Sequence, residues 1–146
     1  MQASVEVDGR EVSATGTGML ILLGVALEDS PESARKLAVK CAALRIFEDD
    51  DGKMNRSCAE AGGEVLCVSQ FTLYGDVRRG NRPSFDSAAP GAIAEPLYEA
   101  FCAELERLGI ECSRGVFGRE MSVHLVNDGP VTLVLDTAEL ERPRRA

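Results

Sequence analysis

The sequence predicts one compact α+β domain with a mostly antiparallel, barrel-like β core and two main helices. Strand-like runs cluster towards both ends of the chain, and two segments with helical apolar spacing lie between them. A chain of 146 residues is also long enough to bury a single core. Apolar residues make up 45% and charged residues 27%, the usual balance for a globular fold, which excludes disordered and fibrous classes. Aromatic residues reach only 5%, so the core must rest on Leu, Val, Ile and Ala.

The elements follow in order. Ser4 to Val7 and Glu11 to Ala14 flank Asp8-Gly9, a pair that tolerates the positive φ angles of a two-residue hairpin turn. Met19 to Leu27 is apolar on both faces and reads as a buried central strand. Ser30-Pro31 opens a helix, a capping hydroxyl followed by proline at the first helical position, with Ala34, Leu37, Cys41 and Leu44 at helical spacing. Arg45 to Glu48 is a short strand ending in the acidic turn Asp49 to Gly52, which lacks the later ligands of a calcium loop. Glu64 to Phe71 is a clear strand. A long polar loop, Gly75 to Ala89, invites a functional reading. The second helix carries Leu97, Phe101, Leu105 and Leu108 on one face and stops at Gly109; Pro96 places its regular start near Glu95. Two last strands are expected, Met121 to Val126 and Val131 to Leu135, joined by Asn127-Asp128-Gly129-Pro130.

The net charge of −8 argues against a broad basic surface for nucleic acid. It leaves room for local cationic sites. Arg78, Arg79 and Arg82 form one cluster and Arg142, Arg144 and Arg145 another, each readable as solvated loop or tail charge. The five cysteines are odd in number and show no C-x-x-C spacing, and there is one histidine, a pattern without a metal site or disulfide framework. Cys67 and Cys102 read as small core hydrophobes, and reduced thiols suit the cytosol. The longest apolar run is about half a membrane span, and no signal peptide is evident. A soluble, cytoplasmic protein without a membrane partner is therefore expected.

No G-x-S-x-G elbow, phosphate-cradling glycine loop or metal-binding helix is present, and His124 sits in an alternating strand pattern. An enzyme built on this chain must lean on backbone groups, hydroxyls or its substrate. Ser69-Gln70-Phe71-Thr72-Leu73, where a buried strand leaves the core, can present such groups. Asn127-Asp128-Gly129-Pro130-Val131-Thr132 reads, on composition alone, as a connecting turn.

Taken in order with Leu44 to Glu48, Asp51 to Asn55 and Arg78 to Phe85, these segments closely resemble the D-aminoacyl-tRNA deacylase (D-Tyr-tRNA(Tyr) deacylase) family. The resemblance runs from about Ala3 to Asp136, which sets the domain at 1–136 and leaves 137–146 as a flexible tail. It implies hydrolysis of the ester bond of D-aminoacyl-tRNA, and of mischarged glycyl-tRNA, by a homodimer without a cofactor or metal. The catalytic group would be Ser69, Gln70, Phe71 and Thr72. Substrate binding and chiral selection would fall to Gly129 and Pro130, joined by a cis bond and reaching into the neighbouring subunit, with Asn127, Thr132 and Met121. Arg78, Arg79 and Arg82 would be the candidate tRNA contacts, and the 3′ terminal adenosine the recognised end. The resemblance also implies backbone N–H stabilisation near Phe71 and Thr72, with the ribose 2′-OH or Thr72 itself as the driving group. Family members begin with a further strand bearing an arginine that orients the Gly-Pro carbonyls. This sequence lacks that strand, through a misassigned start or a variant in which another group substitutes, and an unpaired sheet edge is expected. The alternatives are a non-catalytic RNA-binding module and a hydrolase of another small ester.

Overall fold

The computed structural model describes residues 2–128 and 131–143. Strands β1 (Gln2–Val7) and β2 (Arg10–Thr15) form the expected hairpin, with Asp8 at φ 52° and Gly9 at φ 76°. Two consecutive left-handed residues twist the turn to match its strands. On its other edge β1 pairs antiparallel with β8 (Ser122–Val126), so that Val5 faces Val123. Ala3, Val5 and Val7 alternate inward, while Ser4 and Glu6 point away from the core. His124 is exposed, with Nε2 3.5 Å from a Glu6 carboxylate oxygen, a strand-surface role as its alternation predicts.

A second sheet has the order β3 (Gly18–Leu23), β6 (Glu64–Ser69), β7 (Cys112–Arg114). Both of its pairings are parallel. The α+β class holds, and three of the five strand pairings are antiparallel. The middle of the molecule nevertheless differs from the antiparallel expectation. Each of the two long helices lies in the connection between two strands of this sheet, and such a crossover returns the chain to run parallel. As the middle strand, β6 is covered on both sides: Val65 and Cys67 join the core under the helices, while Leu66 and Val68 join that of the first sheet. All four side chains are fully buried, which explains the unbroken apolar run.

Helix α1 (Pro31–Ala43) starts with a reciprocal cap. The Ser33 N–H donates to Ser30 Oγ at 3.2 Å, and the Ser30 N–H donates to Ser33 Oγ at 2.8 Å. Helix α2 (Gly91–Arg107) corrects the expected late start, since it runs continuously through Pro96. Pro96 lies within two turns of the start and removes one N–H, the one that would bond Ala92. Burial of Ala94 and Leu97 on either side offsets that loss. The helix ends as its glycine predicts: Gly109 at φ 86° lets the Ile110 N–H reach the Leu105 carbonyl (3.0 Å) and its own N–H reach Glu106 (3.0 Å).

Between the helices, β4 (Phe47–Glu48) and β5 (Met54–Arg56) form a short hairpin. Asp49 closes it by accepting the N–H groups of Asp51 (2.9 Å) and Lys53 (3.0 Å), so the acidic run works as a turn. The expected strand over Val131 to Leu135 is not formed. Val134 is 97% exposed and Leu133 54%, and the segment joins neither the β2-β1-β8 sheet nor the β3-β6-β7 sheet among the described residues. The tail begins with a helical turn, α3 (Thr137–Leu140), capped by Asp136, and Glu141 lies 3.8 Å from Lys36 on α1.

All five thiols are free and buried. Cys41, Cys67, Cys102 and Cys112 pack in the helix-covered core with Tyr98, Phe101 and Leu105. Burial pushes the Cys41 thiol up to about 11, so it stays protonated and behaves as a small hydrophobe. The buried Tyr98 hydroxyl is satisfied by donating to the Cys67 carbonyl at 2.6 Å.

Candidate active site

The parallel sheet delivers its central strand to the site. Ser69 is the last residue of β6 and pairs with Leu23 of β3, and the Gln70 N–H donates to the Leu23 carbonyl at 2.8 Å. The ladder ends there. The chain folds at once into a 3-10 turn, Phe71–Tyr74, rather than continuing as strand to Phe71 as the sequence suggests. Polar and Gly residues after the strand favour this break. The Leu73 N–H bonds the Gln70 carbonyl (3.3 Å), and the Gly75 N–H bonds that of Thr72 (2.9 Å). The opening N–H groups of such a turn, those of Phe71 and Thr72, have no acceptor inside it. No side chain caps them: the Gln70 amide Nε2 donates to the Thr72 hydroxyl instead. Ser69, Gln70, Phe71 and Thr72 thus share one strand end and turn, with Phe71 55% exposed.

Three close contacts around this turn lie beyond the sequence reading. The rings of Phe71 and Phe85 meet edge-on, with centroids 5.2 Å apart and planes at 77°, a geometry worth about 0.5–1.5 kcal/mol beyond area burial. A methyl on Gly75 would lie 3.1 Å from the Phe85 ring and 3.0 Å from the Thr72 carbonyl oxygen. A methyl on Gly24 would lie 3.1 Å from the Tyr74 ring. The one sequence signal was the two glycines, Gly24 and Gly75, that follow the apolar ends of β3 and of the turn. Tyr74 is pushed up to about 12, by burial first and then by the carboxylates of Asp29, Asp136 and Glu28, and so stays protonated at neutral pH.

The loop that follows is closed on itself. Asp76 and Ser84 exchange both backbone hydrogen bonds, at 2.7 and 2.9 Å. Arg78 does not stand free as a cation, since its guanidinium lies 2.6 Å from the Asp76 carboxylate and holds that carboxyl down at about 2. Arg79 and Arg82 are exposed on the same loop.

The second group leaves from the other sheet. Asn127, just past β8, donates from Nδ2 to the Thr132 hydroxyl at 3.1 Å, which ties together the two ends of the segment. Gly129 and Pro130 lie outside the described residues, as do Arg144 and Arg145 of the tail cluster. Met121 is half-buried in the first-sheet core, where its sulfur accepts the Val116 N–H at 3.3 Å and lies 2.7 Å from where a methyl on Gly115 would sit. Among the described residues of one chain, no hydrogen bond links Asn127 or Thr132 to Ser69 through Thr72.

These features define a class: a small α+β domain with a polar turn at the carboxyl end of its central parallel strand, where such sheets bind ligands. The profile of the D-Tyr-tRNA(Tyr) deacylase family matches residues 1–136, and the chain belongs to that family. A D-aminoacyl-tRNA deacylase of Roseiflexus castenholzii is 59% identical over 143 residues, covering 98% of this chain and 91% of that protein. A Thermus aquaticus protein of the same name is 54% identical over 138 residues, covering 94% and 91%. Among solved structures, one described as c-Myc DNA Unwinding Element Binding Protein superposes with a TM-score of 0.86 at 42% identity, covering 92% of each chain.

Proposed function

We propose that this chain hydrolyses the ester bond of D-aminoacyl-tRNA, releasing free tRNA and the D-amino acid. The observation that carries the reading is the Ser69–Thr72 turn. It places two backbone N–H groups and a hydrogen-bonded Gln70–Thr72 pair at one strand end. Water attacks the ester carbonyl carbon, and the oxyanion that forms is held by the Phe71 and Thr72 N–H groups. The bond to the 3′ oxygen then breaks, and that oxygen takes up a proton as it leaves. The substrate's own 2′-OH orients the water, which fits a turn without a side-chain base.

The site is completed by a second copy of the chain. The cleft beside the turn, between Gly24, Asp29, Tyr74 and Asp136, has a volume of about 50 Å³. An aminoacylated nucleoside needs several times that space. Phe71, Leu73, Leu125, Val126, Leu133 and Val134 are all half-exposed or more, and so many apolar side chains on the motif-bearing segments favour a covering partner. In the dimer, the partner subunit's Gly129 and Pro130 face the turn. Glycine leaves carbonyls accessible and proline holds their direction. A D-aminoacyl group lays its amine and α-hydrogen against them, while an L side chain would collide. Glycyl-tRNA has nothing to collide and is a second substrate. A solvated 3′ end, rather than the tRNA body, is the recognised part, in keeping with a net charge of −8.

Incubation of this chain with paired D-Tyr-tRNA and L-Tyr-tRNA is expected to deacylate the first and spare the second. Equal rates would remove the assignment, and tight binding without turnover would favour a nucleic-acid-binding module. Thr72→Ala distinguishes the two chemistries. With the backbone as oxyanion site, kcat is expected to fall by about tenfold or less, whereas loss of a covalent nucleophile would cost about 10⁴-fold or more.

A further inference from the structure

We propose that Phe85 is a positioning residue for the hydrolytic turn, clamping it from the loop side while Tyr74 wedges it from the β3 side. The inference rests on the reading of the Phe71 and Thr72 N–H groups as the oxyanion site. Gly75 has φ −61° and ψ 125°, a conformation open to any residue, so its glycine is not there for backbone freedom. It is there for space. A side chain at this position would press into the Phe85 ring and the Thr72 carbonyl. The same ring meets Phe71 edge-on, so Phe85 touches the turn at both ends of the Phe71–Tyr74 span.

Phe85 is itself held in place. The paired backbone bonds between Asp76 and Ser84 bring the chain back to the turn immediately before Phe85, and the Asp76–Arg78 pair stiffens the return. On the opposite side, the Tyr74 ring lies against the bare Cα of Gly24. Apart from the ladder-end bond of Gln70 to Leu23, the turn's backbone makes only its own short hydrogen bonds. Its N–H directions therefore depend on these two aromatic contacts. An oxyanion site works only while its donors stay aimed at the developing charge, and a small misplacement costs much of the rate.

Phe85→Ala tests this through steady-state deacylation of D-Tyr-tRNA and backbone amide exchange by NMR. The expected result is a kcat lower by about 10- to 100-fold with KM within about twofold, together with faster exchange at Phe71 and Thr72. Phe85→Leu, which keeps an apolar wedge and guards against misfolding, is expected to recover part of kcat. Gly75→Ala should reproduce the loss, and should cost less when Phe85 is already alanine, because the obstructing ring is gone. Unchanged exchange with unchanged kcat would overturn the positioning role while leaving the turn as the site. Faster exchange with unchanged kcat would overturn both. Lower kcat with unchanged exchange would mean that Phe85 acts on the substrate directly, and would also overturn the role.

Discussion

Gly18→Ala is expected to destabilise the fold by about 4 kcal/mol, a large share of the roughly 5–15 kcal/mol that holds a small domain together. The glycine sits at φ 153° at the first rung of the β3–β6 ladder, paired with Glu64. A Cβ there would lie 1.7 Å from the Glu64 carbonyl oxygen and 2.6 Å from its backbone nitrogen. Backbone cannot rotate out of the way as a side chain can, so the strand must shift or the rung must break. The same ladder ends at Leu23 and Ser69, so the damage reaches the Ser69–Thr72 turn. Urea unfolding checks this: the midpoint should fall sharply. Gly16→Ala, with nothing within 4 Å of its new methyl, should change stability by less than about 1 kcal/mol. Similar midpoints for the two variants would show that β3 does not approach β6 as described.

Pro130→Ala is expected to lower the preference for D-Tyr-tRNA over L-Tyr-tRNA by about 100-fold, mostly by admitting the L substrate. On the proposed reading, selection is exclusion by a carbonyl held in a fixed direction, and proline supplies the fixed φ. Alanine leaves the segment tied at its ends by the Asn127–Thr132 bond at 3.1 Å but frees the carbonyls between them to swing aside. The hydrolytic turn is untouched, so the rate on the D substrate should change much less than the ratio. Paired kcat/KM values measure both at once. A ratio within about twofold of the parent would mean that chirality is read elsewhere.

What could be read from the sequence was what short-range chemistry decides. Asp8-Gly9 made its hairpin, Ser30-Pro31 its helix start and Gly109 its helix stop, because each depends on φ preferences and hydrogen bonds within a few residues. Met19 to Leu27, apolar on both faces, reads as the central strand, yet β3 stops at Leu23 and lies at the edge of its sheet with Leu22 44% exposed, and β6 takes the middle place. Neither run gives a direction, since a parallel and an antiparallel neighbour ask for the same side chains. Pro96 misled for the opposite reason: its local penalty is real, but burial along α2 outweighs it. Val131 to Leu135 has strand character but pairs with no strand among the described residues, and Thr132 to Val134 are exposed, because strand propensity does not by itself choose a partner edge. At the candidate site, Ser69, Gln70 and Thr72 were legible as polar residues where a core strand ends. The wedge of Tyr74 on Gly24 and the clamp of Phe85 on Gly75 were not, because close approach between distant segments leaves no periodic trace.

A purified heterodimer, one subunit Thr72→Pro and the other Pro130→Ala, isolated through two different tags, tests most directly whether handedness is measured across the subunit boundary. The first change removes a turn N–H and should silence that subunit's turn by about 10²–10³-fold. With a gauge lent by the neighbour, the one live turn faces an intact Gly129-Pro130, and this heterodimer is expected to deacylate D-Tyr-tRNA and spare L-Tyr-tRNA. Deacylation of both, or failure of the chain to form any dimer while remaining active, would contradict it.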